Sequence, residues 1–219
     1  MASKSQIVAV LGLGRFGSSL ALELMRSNTE VLGVDIDPGR VEAVAGELTH
    51  AAVADTTDQE TLHQLSVHEC DRAVVGIGTN VEASILTSAV LVEMGITNIW
   101  AKAVTNAHSR ILQRVGVHHV VRPEHDMGIR VAHLVRGRML DYIEFDDGFA
   151  MVKTSAPAFM INKSLRESEV RRLYDVTVVA IKRPGQGFTY AVPETFVTRG
   201  DTLIISGKTT DTERFSELT

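Results

Sequence analysis

Along roughly the first 125 residues, short apolar runs alternate with amphipathic stretches, a pattern that predicts βαβ units arranged around a parallel sheet. Strands are expected at Ile7 to Leu11, Glu30 to Val34, Ala51 to Ala54, Arg72 to Gly76, Asn98 to Ala103 and His119 to Val121. Helices are expected between them, at Ser18 to Ser27, Pro38 to Gly46, Gln59 to Leu65, Val81 to Met94 and Asn106 to Val115. Six such strands fill both halves of a Rossmann-like, doubly wound α/β fold.

Beyond this sheet the pattern changes. Asp126 to Leu140 reads as one more helix, with Met127, Val131, Leu134 and Val135 on one stripe and Arg130, Arg136 and Arg138 elsewhere. Following a complete sheet, its apolar face is surplus to the first module, which predicts a linker or dimer helix. From Asp141 on, short strands take over, with a turn at Arg183-Pro184-Gly185-Gln186-Gly187. Strands are expected at Ala150 to Thr154, Thr177 to Lys182, Phe188 to Val192 and Thr202 to Ser206, with helices near Ser164 to Leu173 and Thr210 to Glu217. The expected division is therefore 1–141 for a nucleotide-binding domain and 142–219 for a small α+β domain.

The first strand and helix enclose Gly12, Gly14 and Gly17 in the sequence GLGRFG. In G-x-G-x-x-G the first glycine allows a tight turn, the second a close approach of backbone to phosphate, and the third close packing of helix on strand. Arg15 adds a cation beside the positive end of the helix, which suits a strongly anionic ligand. The second strand ends at Asp35, where a carboxylate would accept hydrogen bonds from a ribose 2′-hydroxyl and repel a 2′-phosphate. NAD, ADP and ATP are thereby favoured over NADP. Asp35 as a turn carboxylate is the competing reading, although Asp37 before Pro38 suits that capping role better.

Residues just after each strand gain weight from position. Asp55-Thr56-Thr57 could meet the adenosine or cap the next helix. Gly76-Ile77-Gly78-Thr79-Asn80 offers a flexible turn whose N–H groups could reach phosphates. Lys102 could add a cation or stand solvated. Glu124, in Arg122-Pro123-Glu124-His125-Asp126, could help a hard divalent cation bridge to phosphate or could cap the following helix. His118, His119, His125 and His133 lack the spacing of a zinc site.

Composition narrows the class. The 219 residues carry a net charge of −5 with both signs mixed, so no basic stripe suits a nucleic acid. A single cysteine, Cys70, excludes a disulfide framework within the chain and reads as a buried or half-buried thiol. The start MASKSQ has no apolar signal region, and the apolar helix around Ile85 to Val92 is too short to span a bilayer, which predicts a cytoplasmic protein.

Several phrases together resemble a known family. VLGLGRFGSSLA, VDID, VVGIGTNVEAS, WAKA and RPEHDMG are similar to the RCK (KTN) domain of Ktr/Trk-type potassium-uptake regulators, and GDTLIISG to the matching RCK C-terminal, or TrkA-C, domain. The resemblance implies an RCK N-lobe and a non-enzymatic regulator that binds ATP or ADP. It implies homodimers assembled into an octameric ring, docked on the cytosolic face of a membrane K⁺-translocating subunit. By motif, Gly12, Leu13, Gly14, Arg15, Phe16 and Gly17 would surround the phosphates, with Arg15 sensing the terminal one. Asp35 and Ile36 would meet the ribose, and Asp55, Thr56, Ile77, Gly78, Asn80 and Lys102 would line the rest. Glu124 would join Mg²⁺ or Ca²⁺ between subunits.

Some C-terminal domains of that family bind cyclic di-AMP. Ile161, Asn162 and Lys163 with Val170, Arg171, Val176, Val178 and Pro193 resemble that pocket, although Arg171 also reads as an exposed helix charge. The competing class is an NAD(H)-dependent oxidoreductase or NAD(H)-binding redox sensor, because the glycine fingerprint serves those cofactors too. Against an enzyme, the small second module presents no acid or base at a strand end facing the sheet.

Overall fold

The computed structural model describes residues 6–136 and 139–219, so the readings at residues 1–5 and at Arg138 lie outside the described residues. Contacts divide the chain into one unit that ends at Glu124 and a second spanning His125–Thr219.

The first unit runs β1 (Ile7–Leu11), α1 (Arg15–Arg26), β2 (Glu30–Asp35), α2 (Pro38–Ala45), β3 (His50–Val53), α3 (Gln59–Gln64), β4 (Arg72–Val75), α4 (Val81–Glu93), β5 (Ile99–Lys102), α5 (Asn106–Val115) and β6 (His119–Val121). Its six-stranded sheet has the order β3-β2-β1-β4-β5-β6, and all its pairings are parallel. Alternate residues of β1 serve opposite faces. Ala9 and Leu11 join one core with Leu62, Leu91, Ile99 and Leu112, while Val8 and Val10 join another with Ala21, Val31 and Val41. A parallel sheet covered on both faces explains why these strands read as continuous apolar runs.

The strand positions follow the apolar pattern within a residue or two, and α1 begins at Arg15, earlier than the Ser18 expected, directly on the glycine turn. The caps are local chemistry. Asp37 accepts from the Gly39 N–H ahead of α2, Asp58 from that of Glu60 ahead of α3, and Asn80 from that of Ala83 ahead of α4. One face of α4 runs against expectation from its apolar character. Ser84, Thr87 and Ser88 are buried with Leu91, whereas Val81 and Leu86 are exposed. Small hydroxyl residues let a helix approach a sheet closely, and Thr87 Oγ1 meets Thr56 Oγ1 at 2.8 Å.

The second unit takes in most of α6 (Pro123–Arg136), then β7 (Met139–Phe145), β8 (Phe149–Ser155), β9 (Lys163–Ser164), α7 (Leu165–Ser168), α8 (Val170–Tyr174), β10 (Thr177–Lys182), β11 (Phe188–Tyr190), β12 (Phe196–Val197), β13 (Thr202–Lys208) and α9 (Thr209–Ser216). Its antiparallel sheet has the order β11-β10-β13-β8-β7, and β9 pairs with β12. Phe215, Leu203, Ile205, Val152 and Met160 centre its core.

Three sequence expectations are corrected here. The helix expected over Asp126 to Leu140 starts at Pro123, whose fixed φ suits a first helical position, and Met139 and Leu140 belong to β7. That strand was missed altogether; its pairing with β8 supplies a driving force absent from its own sequence. The helix expected over Ser164 to Leu173 is two short helices, because Glu169 takes a left-handed conformation with φ 45°. The strand expected to Val192 ends at Tyr190, and the Thr195 N–H returns to the Val192 carbonyl in a turn.

On α6, Leu134 packs on the second core, Arg130 pairs with Asp141 at 2.5 Å, and His133 Nδ1 lies 2.8 Å from Glu213. Met127, Val131 and Val135 remain exposed. Among the described residues, no helix is long and apolar enough to cross a membrane.

Candidate functional site

A cleft of about 740 Å³ opens in the first unit, lined by the residues that follow β1 and β4, where the strand order reverses. Open α/β sheets bind ligands at that switch point.

The glycine turn forms one wall. Gly12 has φ +98°, and a Cβ on it would lie 2.8 Å from Ile77 Cγ1. A Cβ on Gly17 would lie 1.9 Å from the Gly12 carbonyl oxygen, and one on Gly76 2.6 Å from that same atom. Packing within the protein therefore demands glycine at all three positions. Gly14 is different: its φ is −67°, and nothing lies within 4 Å of where its Cβ would be. Beside this open space α1 begins, with no side-chain cap and no acidic residue in its first turn. Unpaired N–H groups at a helix start, reinforced by the helix dipole, receive an anion. Arg15 and Phe16 continue the wall. Leu13 and Gly17, expected near the phosphates, do not line the cleft. Leu13 is buried in the core and contributes its N–H, while Gly17 serves helix packing.

At the end of β2, Asp35 is 4% exposed. Its Oδ2 accepts the Leu13 N–H at 2.6 Å and its Oδ1 accepts the Asp37 N–H at 2.9 Å. These bonds satisfy a buried carboxylate and tie the strand end to the glycine turn. Arg40 Nη1 stands 3.5 Å from Asp35 Oδ2, and its Nε 3.5 Å from Asp37 Oδ2. Ile36, exposed, shares this rim.

The loops after the other strands converge on the same space. Asp55 accepts the N–H and hydroxyl of Thr57 in a turn of its own, so helix capping falls to Asp58 instead. Thr56, Ile77, Gly78 and Asn80 line the cleft, Asn80 also capping α4.

Opposite the start of α1, Lys102 Nζ lies 2.5 Å from Glu124 Oε1 and 5.9 Å from the Phe16 ring centroid. The Lys102 side chain is only 12% exposed, which removes the solvated-lysine reading. The Lys102 hydrogen bond holds the Glu124 carboxyl below the usual carboxylate range, and the Arg15 guanidinium adds to the effect. Two cations and one carboxylate thus gather in this part of the cleft.

Among the described residues, no group of three or more His, Cys, Asp or Glu side chains is placed to hold a metal ion. Glu124 offers one carboxylate, already bonded to Lys102, so a hard cation at this corner would need phosphate oxygens to complete its shell. The histidines weighed for zinc are dispersed: His118 accepts the Ile99 N–H, His119 stacks on Trp100, His125 meets Asp126 and His133 meets Glu213.

Every candidate of the first unit other than Leu13 and Gly17 lines this one cleft. Sequence reasoning missed Arg40, Glu82, Ala83, Leu86 and Val104. Arg40 was within reach, since it follows Pro38 in the first turn of a helix that starts at the carboxyl edge of the sheet. In the second unit a groove of about 370 Å³ gathers Val170, Arg171, Val176, Val178 and Pro193. Ile161 and Asn162 do not line it. Ile161 packs on the second core, and Asn162, with φ 63°, donates its N–H to the Val197 carbonyl.

Comparison with known proteins agrees with this division. The TrkA-N domain family matches residues 8–123 and the TrkA-C domain family residues 150–219. The chain is 38% identical over 213 residues to Ktr system potassium uptake protein A of Bacillus subtilis (strain 168), covering 97% of this chain and 96% of that one. It is 36% identical over 210 residues to Ktr system potassium uptake protein C of the same organism, covering 95% of each. Among solved structures, the GsuK channel bound to NAD superposes with a TM-score of 0.65 at 16% identity, covering 96% of this chain and 38% of that one.

Proposed function

The chain belongs to the TrkA-N/TrkA-C family of Ktr system potassium uptake proteins, and from that membership we propose that it is a regulatory component that reads adenine nucleotide in the cleft of its first unit and gates a separate K⁺-translocating membrane subunit. The observation that carries the reading is the phosphate end of the cleft, where Arg15, Lys102 and Glu124 gather beside the uncapped start of α1. A terminal phosphate suits such a corner better than a neutral ring does.

In this reading ATP and ADP share the seats at Gly14 and Asp35 and differ at Arg15. Gly12, Gly14 and the α1 N–H groups hold the shared phosphates, Asp35 accepts from the ribose, and Arg15 meets the phosphate that only ATP carries. A divalent cation, Mg²⁺ or Ca²⁺, would bridge that phosphate and Glu124. Homodimers, joined through the exposed face of α6 and assembled into an octameric ring, would convert the difference into ring shape. Only a difference in affinity between two shapes moves a gate. Cyclic di-AMP at the second unit's groove would be a further effector, with Arg171 on a phosphate and Val170, Val178 and Pro193 on the bases. The activity is binding and gating, not catalysis.

NAD(H) is the second reading, favoured by the GsuK structure bound to NAD. One experiment separates the two. Nucleotide released from the denatured protein is identified, and ATP, ADP and NADH are then titrated against wild type and Arg15→Ala by thermal shift. The expected result is retention of ADP binding with an ATP preference reduced at least tenfold; tight NADH binding with little ATP response would replace this reading with the second.

A further inference from the structure

Arg40 lines the cleft beside Asp35, at the end of β2. Its guanidinium stands 3.5 Å from the carboxylates of both Asp35 and Asp37, and its side chain is 45% exposed on the cleft rim. These three groups together carry one net negative charge. An anion is therefore poorly served here, and the positive charge of Arg40 is already engaged by its two neighbours.

What the guanidinium still offers is its flat face. Two carboxylates at 3.5 Å hold the fork on the rim, and the exposed Ile36 stands on that rim four residues earlier. A planar, weakly hydrated cation beside an apolar side chain suits a flat heteroaromatic ring stacked upon it. Leu86 is a further exposed apolar side chain in the lining of the same cleft. The ribose seat at Asp35 fixes where such a ring would lie, one glycosidic bond from the sugar.

We propose that Arg40 is the specificity-determining residue for the base of the bound nucleotide, stacking its guanidinium on the ring and favouring purines over the smaller pyrimidines. The proposal rests on the nucleotide reading of the cleft. The competing account is structural: Arg40 merely balances Asp35, which is buried.

The two accounts part on base size and on charge. ADP and UDP are titrated by calorimetry against the full chain as wild type, Arg40→Ala and Arg40→Lys. If stacking selects the base, both variants lose roughly tenfold in the ADP-over-UDP preference, while UDP affinity changes little, because ammonium keeps the charge and loses the plane. Equal losses for ADP and UDP in Arg40→Ala, or restoration of the preference by Arg40→Lys, would overturn the proposal and leave the nucleotide site standing. Failure of wild type to bind ADP, ATP or NADH at all would overturn the nucleotide reading and this assignment with it.

Discussion

The cleft of the first unit and the groove of the second are built from different parts of the residue. The cleft is largely a backbone structure: three glycines are packed so tightly that a single Cβ would meet a neighbouring atom within 2.8 Å, and the start of α1, without a side-chain cap, forms part of its wall. The groove is a side-chain structure, walled by Val170, Val176, Val178 and Pro193 and edged by Arg166, Arg171 and Arg172. A site made of backbone is rigid and intolerant, whereas one made of side chains can be retuned residue by residue.

The glycines give the sharpest way to break that comparison. Gly17→Ala would drive its Cβ to 1.9 Å from the Gly12 carbonyl oxygen, so strand and helix would have to separate. A loss of several kcal/mol is expected, read as a collapsed melting temperature or failure to express. Gly14→Ala meets no atom within 4 Å, and stability within about 0.5 kcal/mol of wild type is expected. Its nucleotide affinity should nevertheless fall tenfold or more, as judged by ADP titration, because the methyl group would occupy ligand space. Two alanines three residues apart would then separate what the fold needs from what the ligand needs. Unchanged ADP affinity in Gly14→Ala would remove that glycine from the site.

This asymmetry also explains what the sequence made legible. Backbone constraints leave single-residue traces, so Gly12, Gly14, Gly17 and the strand-end Asp35 were readable from spacing alone. Parallel strands buried on both faces leave continuous apolar runs, and all six were placed within a residue or two. In the second unit the trace is weaker. β7 carries Asp141 and Glu144 among its apolar residues and owes its form to β8, and the break at Glu169 has no glycine to announce it. Arg40 leaves no such trace, because an arginine in a helix's first turn is common and only its two carboxylate partners in the fold set it apart.

A smaller effect separates the units by pH. His108 is 2% exposed; its Nδ1 accepts the Val104 N–H at 3.4 Å, and its Nε2 has no hydrogen-bond partner among the described residues. Burial lowers its pKa from the ordinary 6.5. The unfolded chain therefore binds the proton first as pH falls, so this group's stabilisation is complete above pH 6.5 and declines below it, by at most about 1.4 kcal/mol per pH unit. Hydrogen exchange between pH 7 and pH 5 should show the first unit loosening before the second, and His108→Phe should flatten the slope. An unaltered slope in that variant would place the acid sensitivity elsewhere.

The smallest expected effect compares two glutamates with cationic partners. Glu194 pairs with Arg166 where both side chains are mostly exposed, at 65% and 72%. Such a pair is worth little, and Glu194→Gln should change stability by no more than about 0.5 kcal/mol. Glu124 is equally exposed, but its partner Lys102 is only 12% exposed, so Glu124→Gln leaves a mostly buried ammonium without its carboxylate. A cost of about 1 kcal/mol is expected at pH 7, discounted for solvent at the carboxylate. Because the folded pKa of Glu124 lies below its ordinary 4.5, the difference between the variants should be constant above about pH 5 and vanish as acid protonates the native carboxyl. Urea titrations of both variants across that range test the point. If the two cost the same at pH 7, the Lys102–Glu124 pair is worth no more to the fold than an exposed one.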